Sequence, residues 1–231
     1  MACRETASPV ASSGPAVRLC SAPPRSPLLK HTILFLAANP LGTERVALDE
    51  EARAIHEELE RTGHRDSFEL VTRWAVRPLD LLRELRKLKP TIVHFSGHGG
   101  RGDSRPGAGP HRDVVGEPDA VDERQQGGLF FQGTNGQPQL VSTAALKETF
   151  GAAGSSVRLV VLNACYSEVQ AEALLAHVEC VIGMSGSIGD DAARSFAIGF
   201  YGTPAGLVGG SDPMKTESRP MPTKSVVDLR T

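Results

Sequence analysis

The chain has few of the residues and patterns that mark specialised classes of protein. Its 231 residues include four cysteines but no CxxC pair, so we expect neither a disulfide scaffold nor a structural zinc site. Basic residues (25) nearly balance acidic ones (27), which argues against binding to nucleic acid or to a membrane surface. No apolar run approaches the roughly 20 residues that span a bilayer. We therefore expect a globular protein of a reducing cytoplasm, without a bound metal.

Short apolar runs alternate with amphipathic segments between residues 32 and 201. The runs predict strands at 32–38, 67–76, 91–96, 157–162 and 179–183, and the segments predict helices at 44–62, 78–89, 142–150, 167–177 and 189–201. Such alternation is typical of an α/β fold of three αβα layers, with a mainly parallel sheet of about five strands and helices on both faces. Right-handed crossovers between parallel strands bring their carboxyl ends to one edge.

Two of the predicted helices show an apolar face. In the first, Ile55 and Leu59 mark the core side, and Glu51 is expected on the wet side with its neighbouring acids. In the second, we expect the core-facing residues to be Leu79, Leu82 and Leu85, with Leu88 as a further candidate. Pro78 opens this second helix and Pro90 ends it.

The remaining segments lack a core pattern or form a small insertion. Residues 1–30 and 203–231 are rich in Pro, Ser, Gly or Thr, so we expect a disordered leader, one domain over 31–202 and a disordered tail. Residues 101–126 are too polar for a core and form a long connection. An Asn-Gly pair within 128–141 predicts a small β-hairpin insertion.

A histidine and a cysteine each follow a predicted buried strand. His98 follows strand 91–96, and Cys165 follows strand 157–162. In an open α/β sheet, chemistry sits at the carboxyl ends of the strands, so an imidazole could lie beside a thiol. That pair is what a cysteine nucleophile needs. The glycine after His98, Gly99, lets the backbone approach a substrate closely, and its amide together with that of Cys165 could hold an oxyanion.

Each of these residues also has a purely structural interpretation. A free cysteine among apolar residues is usually a small core filler, and only its pairing with His98 favours a site at Cys165. His94 lies on its strand and is interpreted as a packed, hydrogen-bonded histidine, and Cys180 as buried and inert. The glycines after His98 lack the Gly-Lys-Ser/Thr ending of a phosphate loop. Asp190 and Asp191 are interpreted as helix caps, with a place for one of them in a pocket selecting a basic side chain as the alternative.

The two motifs together resemble the CHAT domain of the caspase-like (clan CD) cysteine peptidase superfamily. They are His-Phe-Ser-Gly-His-Gly at 94–99 and Leu-Asn-Ala-Cys-Tyr-Ser at 162–167, after successive predicted strands. Segments 33–40 and 181–186 resemble the same family, and the resemblance covers about 32–201. It implies a caspase-like fold and an endopeptidase that hydrolyses a protein or peptide substrate without a cofactor.

The resemblance also implies roles for particular residues. It assigns His98 as general acid and base, Cys165 as nucleophile, and the Gly99 amide to the oxyanion hole. Asn163 occupies a position that lines the primary specificity pocket in caspases, and we expect Asp191 to be a second substrate-binding residue. Family members are commonly joined to sensor or regulatory modules in bacterial signalling and defence, so a regulatory partner is expected.

One departure from the family keeps other functions open. CHAT domains usually continue with another apolar segment after the last helix, whereas Gly-Thr-Pro interrupts this chain at 202–204. We therefore expect a shortened C-terminal part. The alternatives to an active cysteine endopeptidase are a catalytically impaired CHAT-like interaction module and an unrelated flavodoxin-like binding domain.

Overall fold

A parallel β-sheet forms the centre of the molecule. The structure is a computed structural model that describes residues 30–63, 66–100, 127–202 and 225–229. The strands of the sheet are β1 (His31–Ala38), β2 (Phe68–Arg73), β3 (Ile92–Gly100), β6 (Leu159–Asn163), β7 (Cys180–Met184) and β8 (Ser225–Leu229). They pair in parallel in the order β2-β1-β3-β6-β7-β8. The predicted sheet of about five parallel strands is thus confirmed, with β8 in addition.

Helices cover both faces of this sheet, which confirms the predicted three-layer αβα fold. Their bounds are α1 (Leu48–Arg61), α2 (Pro78–Leu88), α3 (Thr143–Ala153), α4 (Glu168–Leu174) and α5 (Asp190–Tyr201). Alternate residues of β1 separate the two cores, because successive strand side chains point to opposite faces. Phe35 packs with α1 and α5, whereas Leu36 packs with α2, α3 and α4.

The predicted hairpin is also present. Strand β4 (Gly128–Gln132) pairs antiparallel with the end of β3, and β5 (Pro138–Ser142) pairs antiparallel with β4. Gly136 in the turn has a φ of 80°, a left-handed conformation that suits glycine. Ser142 caps α3, since its hydroxyl accepts a hydrogen bond from the Ala145 amide at 3.3 Å.

Two expectations from the sequence differ from the structure. Within the range 203–231, expected as a tail, Ser225–Leu229 forms β8, because parallel pairing with β7 supplies hydrogen bonds that the local pattern does not reveal. On α2, Leu81 and Leu85 are buried, whereas Leu79 is 76% exposed. Residues 1–29 of the predicted leader 1–30 and the whole connection 101–126 lie outside the described residues, so the predicted domain boundaries stay a prediction.

Candidate functional site

The pairing register of two central strands brings the motif residues together. Strands β3 and β6 are parallel neighbours, and their last paired residues are Ser96 and Asn163. His98 and Cys165 each stand two residues farther on, so they reach the same level at the carboxyl edge of the sheet. Neighbouring strands lie only about 4.8 Å apart. The register therefore places His98 and Cys165 at the ends of neighbouring strands on one edge of the sheet.

Both side chains line one cavity of about 320 Å³. Its walls come from the loop between β1 and α1, the ends of β3 and β6, the loop between β7 and α5, and the start of α5. Besides His98 and Cys165, the lining includes Glu44, Glu51, Asn163, Ile188, Asp190 and Arg194. The cavity thus lies at the carboxyl ends of the strands, where open α/β sheets bind their ligands.

The ring of His98 is fixed by a backbone carbonyl. Its Nε2 lies 2.7 Å from the Glu44 carbonyl oxygen, and the residue is half-buried. A carbonyl oxygen can only accept, so Nε2 carries the hydrogen. In the neutral ring, Nδ1 is then the unprotonated nitrogen and is able to accept a proton. The contact with Glu44 therefore selects the tautomer that a general base requires.

The sulfur of Cys165 is held against the loop between β7 and α5. The Ile188 amide donates to Sγ at 3.4 Å, and the Ser187 hydroxyl lies 3.7 Å from Sγ. The next residue, Tyr166, has a φ of 54°, which is left-handed and uncommon for a residue with a side chain. The chain turns sharply there before α4 begins. Cys165 is half-buried, so its sulfur can be reached from the cavity.

Gly99 lies against the backbone of the cysteine. A Cβ added at Gly99 would come within 2.1 Å of the Cys165 carbonyl oxygen, which no side chain could tolerate. Only glycine therefore allows the end of β3 to approach the Cys165 turn this closely. The two residues expected to form the oxyanion hole are brought together, and the role of their amides stays a prediction.

A buried hydrogen-bond network includes three of the residues that line the cavity, Glu51, Ser96 and Asn163. His94 is fully buried, with Nδ1 3.0 Å from the Tyr201 hydroxyl and Nε2 2.9 Å from Glu51 Oε1. Ser96 donates its hydroxyl hydrogen to Glu51 Oε2, and Asn163 Nδ2 donates to Oε1 at 2.6 Å. The interpretation of His94 as a packed, hydrogen-bonded residue is confirmed. The Glu51 carboxylate thus connects α1 to β3 and β6 by hydrogen bonds to residues of the two motifs.

The network favours a charged carboxylate at Glu51. Burial by itself raises the pKa of Glu51, but hydrogen bonds and charge attraction from His94, with hydrogen bonds from Ser96 and Asn163, lower the pKa below its usual value. Burial, with a contribution from the charge of Glu51, raises the pKa of the Tyr201 hydroxyl far above its usual value. Tyr201 thus keeps its proton.

The two expected substrate-binding residues lie in different surroundings. Asn163 is only 4% exposed and lines the cavity. Asp191 has a side chain that is 94% exposed, pairs with Arg194 at 2.6 Å and is not among the lining residues. Its neighbour Asp190 lines the cavity instead, and accepts a hydrogen bond from the Ala47 amide at 3.2 Å. The first turn of α5 therefore presents Asp190, rather than Asp191, to the cavity.

Cys180 differs from Cys165 in both position and chemistry. It begins β7, away from the cavity lining, and is half-buried rather than buried as the sequence suggests. Burial, with the nearby charge of Glu179, raises the pKa of the Cys180 thiol, which favours its protonated form. Across the described residues, no group of three or more His, Cys, Asp or Glu side chains is arranged to hold a metal ion.

The family follows from the paired motifs and from a match over almost the whole chain. A family model for the CHAT domain matches residues 3–211. The chain belongs to the CHAT domain family. CHAT domains are caspase-like domains of the peptidase type, and the α/β sheet with its two terminal motifs is consistent with that placement. A search of curated proteins finds no match to the chain. Within the described part of this CHAT domain, no helix has the length and apolarity needed to span a membrane.

Proposed function

We propose that this CHAT domain is a cysteine endopeptidase that hydrolyses a protein substrate through His98 and Cys165. The observation that carries the proposal is the shared cavity at the ends of β3 and β6, which both side chains line. A cysteine serving only as core filler would not need to share a cavity with an imidazole whose tautomer is selected. The Glu44 carbonyl supplies that selection.

The chemistry proceeds in two balanced steps. His98 takes the proton of the Cys165 thiol, and the sulfur attacks the carbonyl carbon of the scissile amide. The tetrahedral oxyanion is held by the Gly99 and Cys165 amides, and His98 then gives its proton to the leaving amine as the C–N bond breaks. In the second step His98 activates a water that attacks the thioester. This step releases the carboxylic acid and restores the thiol.

Single substitutions test the proposal. Cys165→Ala removes the nucleophile, and His98→Ala removes the base, so each should lower the cleavage of a peptide library by at least about 100-fold. Cys180→Ala is the matched control, because its thiol lies outside the cavity, and it should cleave like the wild type. Cleavage by Cys165→Ala at the wild-type rate would contradict the proposal. Absence of cleavage by the wild type would favour an interaction module that has lost catalysis.

A further inference from the structure

Glu51 is a buried carboxylate in the cavity lining whose basic partner is His94. It is 4% exposed and receives hydrogen bonds from His94, Ser96 and Asn163. Within the described residues, no Lys or Arg lies within ion-pair distance of it. Arg194, the one Lys or Arg among the lining residues, directs its guanidinium to Glu50 and Asp191. The lining therefore contains carboxylates but no free Lys or Arg side chain that would repel a cation.

Asn163 adds a second acceptor that the fold leaves unsatisfied. Its Nδ2 donates to Glu51, which fixes the orientation of the amide and leaves Oδ1 as the free end. In the described structure, Oδ1 is buried and has no hydrogen-bond partner. Such orphaned acceptors are rare in folded proteins. The carboxylates of Glu44 and Asp190 also belong to the lining, so the cavity offers acceptors and negative charge together.

We infer that this cavity binds the side chain of a lysine or arginine that immediately precedes the scissile bond of the substrate. The inference rests on the proposed peptidase function. The carbonyl that Cys165 attacks belongs to that residue, so its side chain is the one nearest to a cavity that includes the sulfur. The cationic head supplies donors for Glu51, Asn163 and Asp190. Its aliphatic stem packs along Val46, Ile188 and Ala193 in the lining.

Other side chains fit the cavity less well on physical grounds. An acidic side chain would meet three carboxylates of the lining, and like charges repel in a partly buried site. An uncharged side chain of the same length, such as norleucine, fills the space but leaves Asn163 Oδ1 without a hydrogen-bond partner. The cavity volume of about 320 Å³ accommodates either residue, so charge rather than size decides.

Matched peptides test the inference through a ratio of rates. The wild type should cleave after lysine or arginine roughly 10- to 100-fold faster, in kcat/KM, than after norleucine, and slowest after aspartate. Asp190→Asn, Glu44→Gln and Glu51→Gln should each lower the lysine-to-norleucine ratio. The control is Glu57→Gln, an exposed acid on α1 that does not line the cavity, and it should keep the ratio. A ratio near one, or a preference for aspartate, would overturn the inference while leaving the peptidase in place.

A ligand-binding measurement tests the cation-binding pocket independently of peptide cleavage. Benzamidine and the uncharged benzamide should be titrated into the Cys165→Ala protein, which cannot turn over a peptide. Saturable binding of benzamidine alone, weakened by a further Asp190→Asn change, is the expected result. Equal binding of both compounds, or binding of neither, would overturn the inference. Selective binding of benzamidine without any peptide cleavage by the wild type would support the cation pocket and contradict the peptidase.

Discussion

Glu51 shows at the scale of a residue how a functional position escapes a sequence pattern. Its charge suggests the wet face of α1, yet it stands four and eight residues before Ile55 and Leu59, which are buried. A spacing of four places it on their face of the helix. A carboxylate on an apolar face is therefore the signal that identifies it. Its three donors come from β3 and β6, far along the chain, and no local pattern contains them.

The pKa of Glu51 predicts how stability responds to acid. The pKa lies below its usual value of 4.5 in the folded protein, so the network stabilises the fold above about pH 4.5 and loses this contribution as the pH falls through the folded pKa. Glu51→Gln should lower the free energy of unfolding by about 1–3 kcal/mol at pH 7. Its deficit should shrink toward pH 3. Urea unfolding curves of both proteins between about pH 7 and pH 3 measure this difference.

A surface acid serves as the control for this prediction. Glu57 is exposed on α1 and pairs only with Arg53, so Glu57→Gln should run parallel to the wild type within about 0.5 kcal/mol at every pH. Parallel curves for Glu51→Gln and the wild type would show that Glu51 does not titrate differently on folding.

At the scale of an element, α2 shows the limit of helical periodicity. Its leucines at 79, 81, 82, 85 and 88 allow more than one apolar face, and the sequence favours the face that contains Leu79. In the structure, the core behind α2 selects Leu81 and Leu85, and Leu79 is exposed. The existence and the start of the helix are local properties. Its rotation depends on which side chains fit the sheet.

The rotation of α2 is tested by two substitutions of the same residue type. Leu81→Ala opens a cavity in the core and should cost about 2–5 kcal/mol of unfolding free energy. Leu79→Ala removes an exposed side chain and should change stability by less than about 0.5 kcal/mol. Urea unfolding measures both changes in the free energy of unfolding. Equal destabilisation by the two substitutions would mean that α2 is rotated differently in solution.

The end of β3 is the element that carries the chemistry, and Gly99 controls its distance from the cysteine turn. A Cβ at this position would collide with the Cys165 carbonyl, so Gly99→Ala should push the two segments apart. A displacement of about 1 Å can cost roughly 100-fold in rate, and we expect a loss of that size in kcat/KM. Peptide cleavage kinetics measure it.

Gly199 on α5 provides the matched glycine control. A Cβ there meets nothing within 4 Å, so Gly199→Ala should keep the rate and raise stability by about 0.5–1 kcal/mol. If Gly99→Ala retained full activity as well, the close contact between Gly99 and Cys165 would have no functional meaning.

At the scale of the whole molecule, the sequence predicts the central strands better than the edge of the sheet. The buried runs that become β1, β3, β6 and β7 are continuous and apolar, and right-handed crossovers leave few ways to arrange them. This is why the shared edge of His98 and Cys165 was predictable. The loop around Ile188 and the strand β8 were not, because both acquire their roles only through contacts with distant segments.

Strand β8 is expected to protect one side of the sheet. It pairs in parallel with the whole of β7, whose residues Val181 and Ile182 are buried. Deletion of residues 225–231 would leave β7 as an open edge with unpaired amides and carbonyls, which is a template for aggregation. The shortened protein should unfold at a lower denaturant concentration and aggregate faster on light scattering. Behaviour identical to that of the full chain would show that β8 contributes nothing to stability.

The thiol of Cys165 and the imidazole of His98 are proposed to act together, and covalent labelling measures this cooperation. The protein should be treated with a set of peptidyl acyloxymethyl ketones, and the adducts should be located by mass spectrometry. We predict a single adduct on Cys165, formed at least about 100-fold more slowly in His98→Ala. Labelling of Cys180 at a similar rate, or labelling of Cys165 that His98→Ala does not slow, would show that His98 does not activate Cys165.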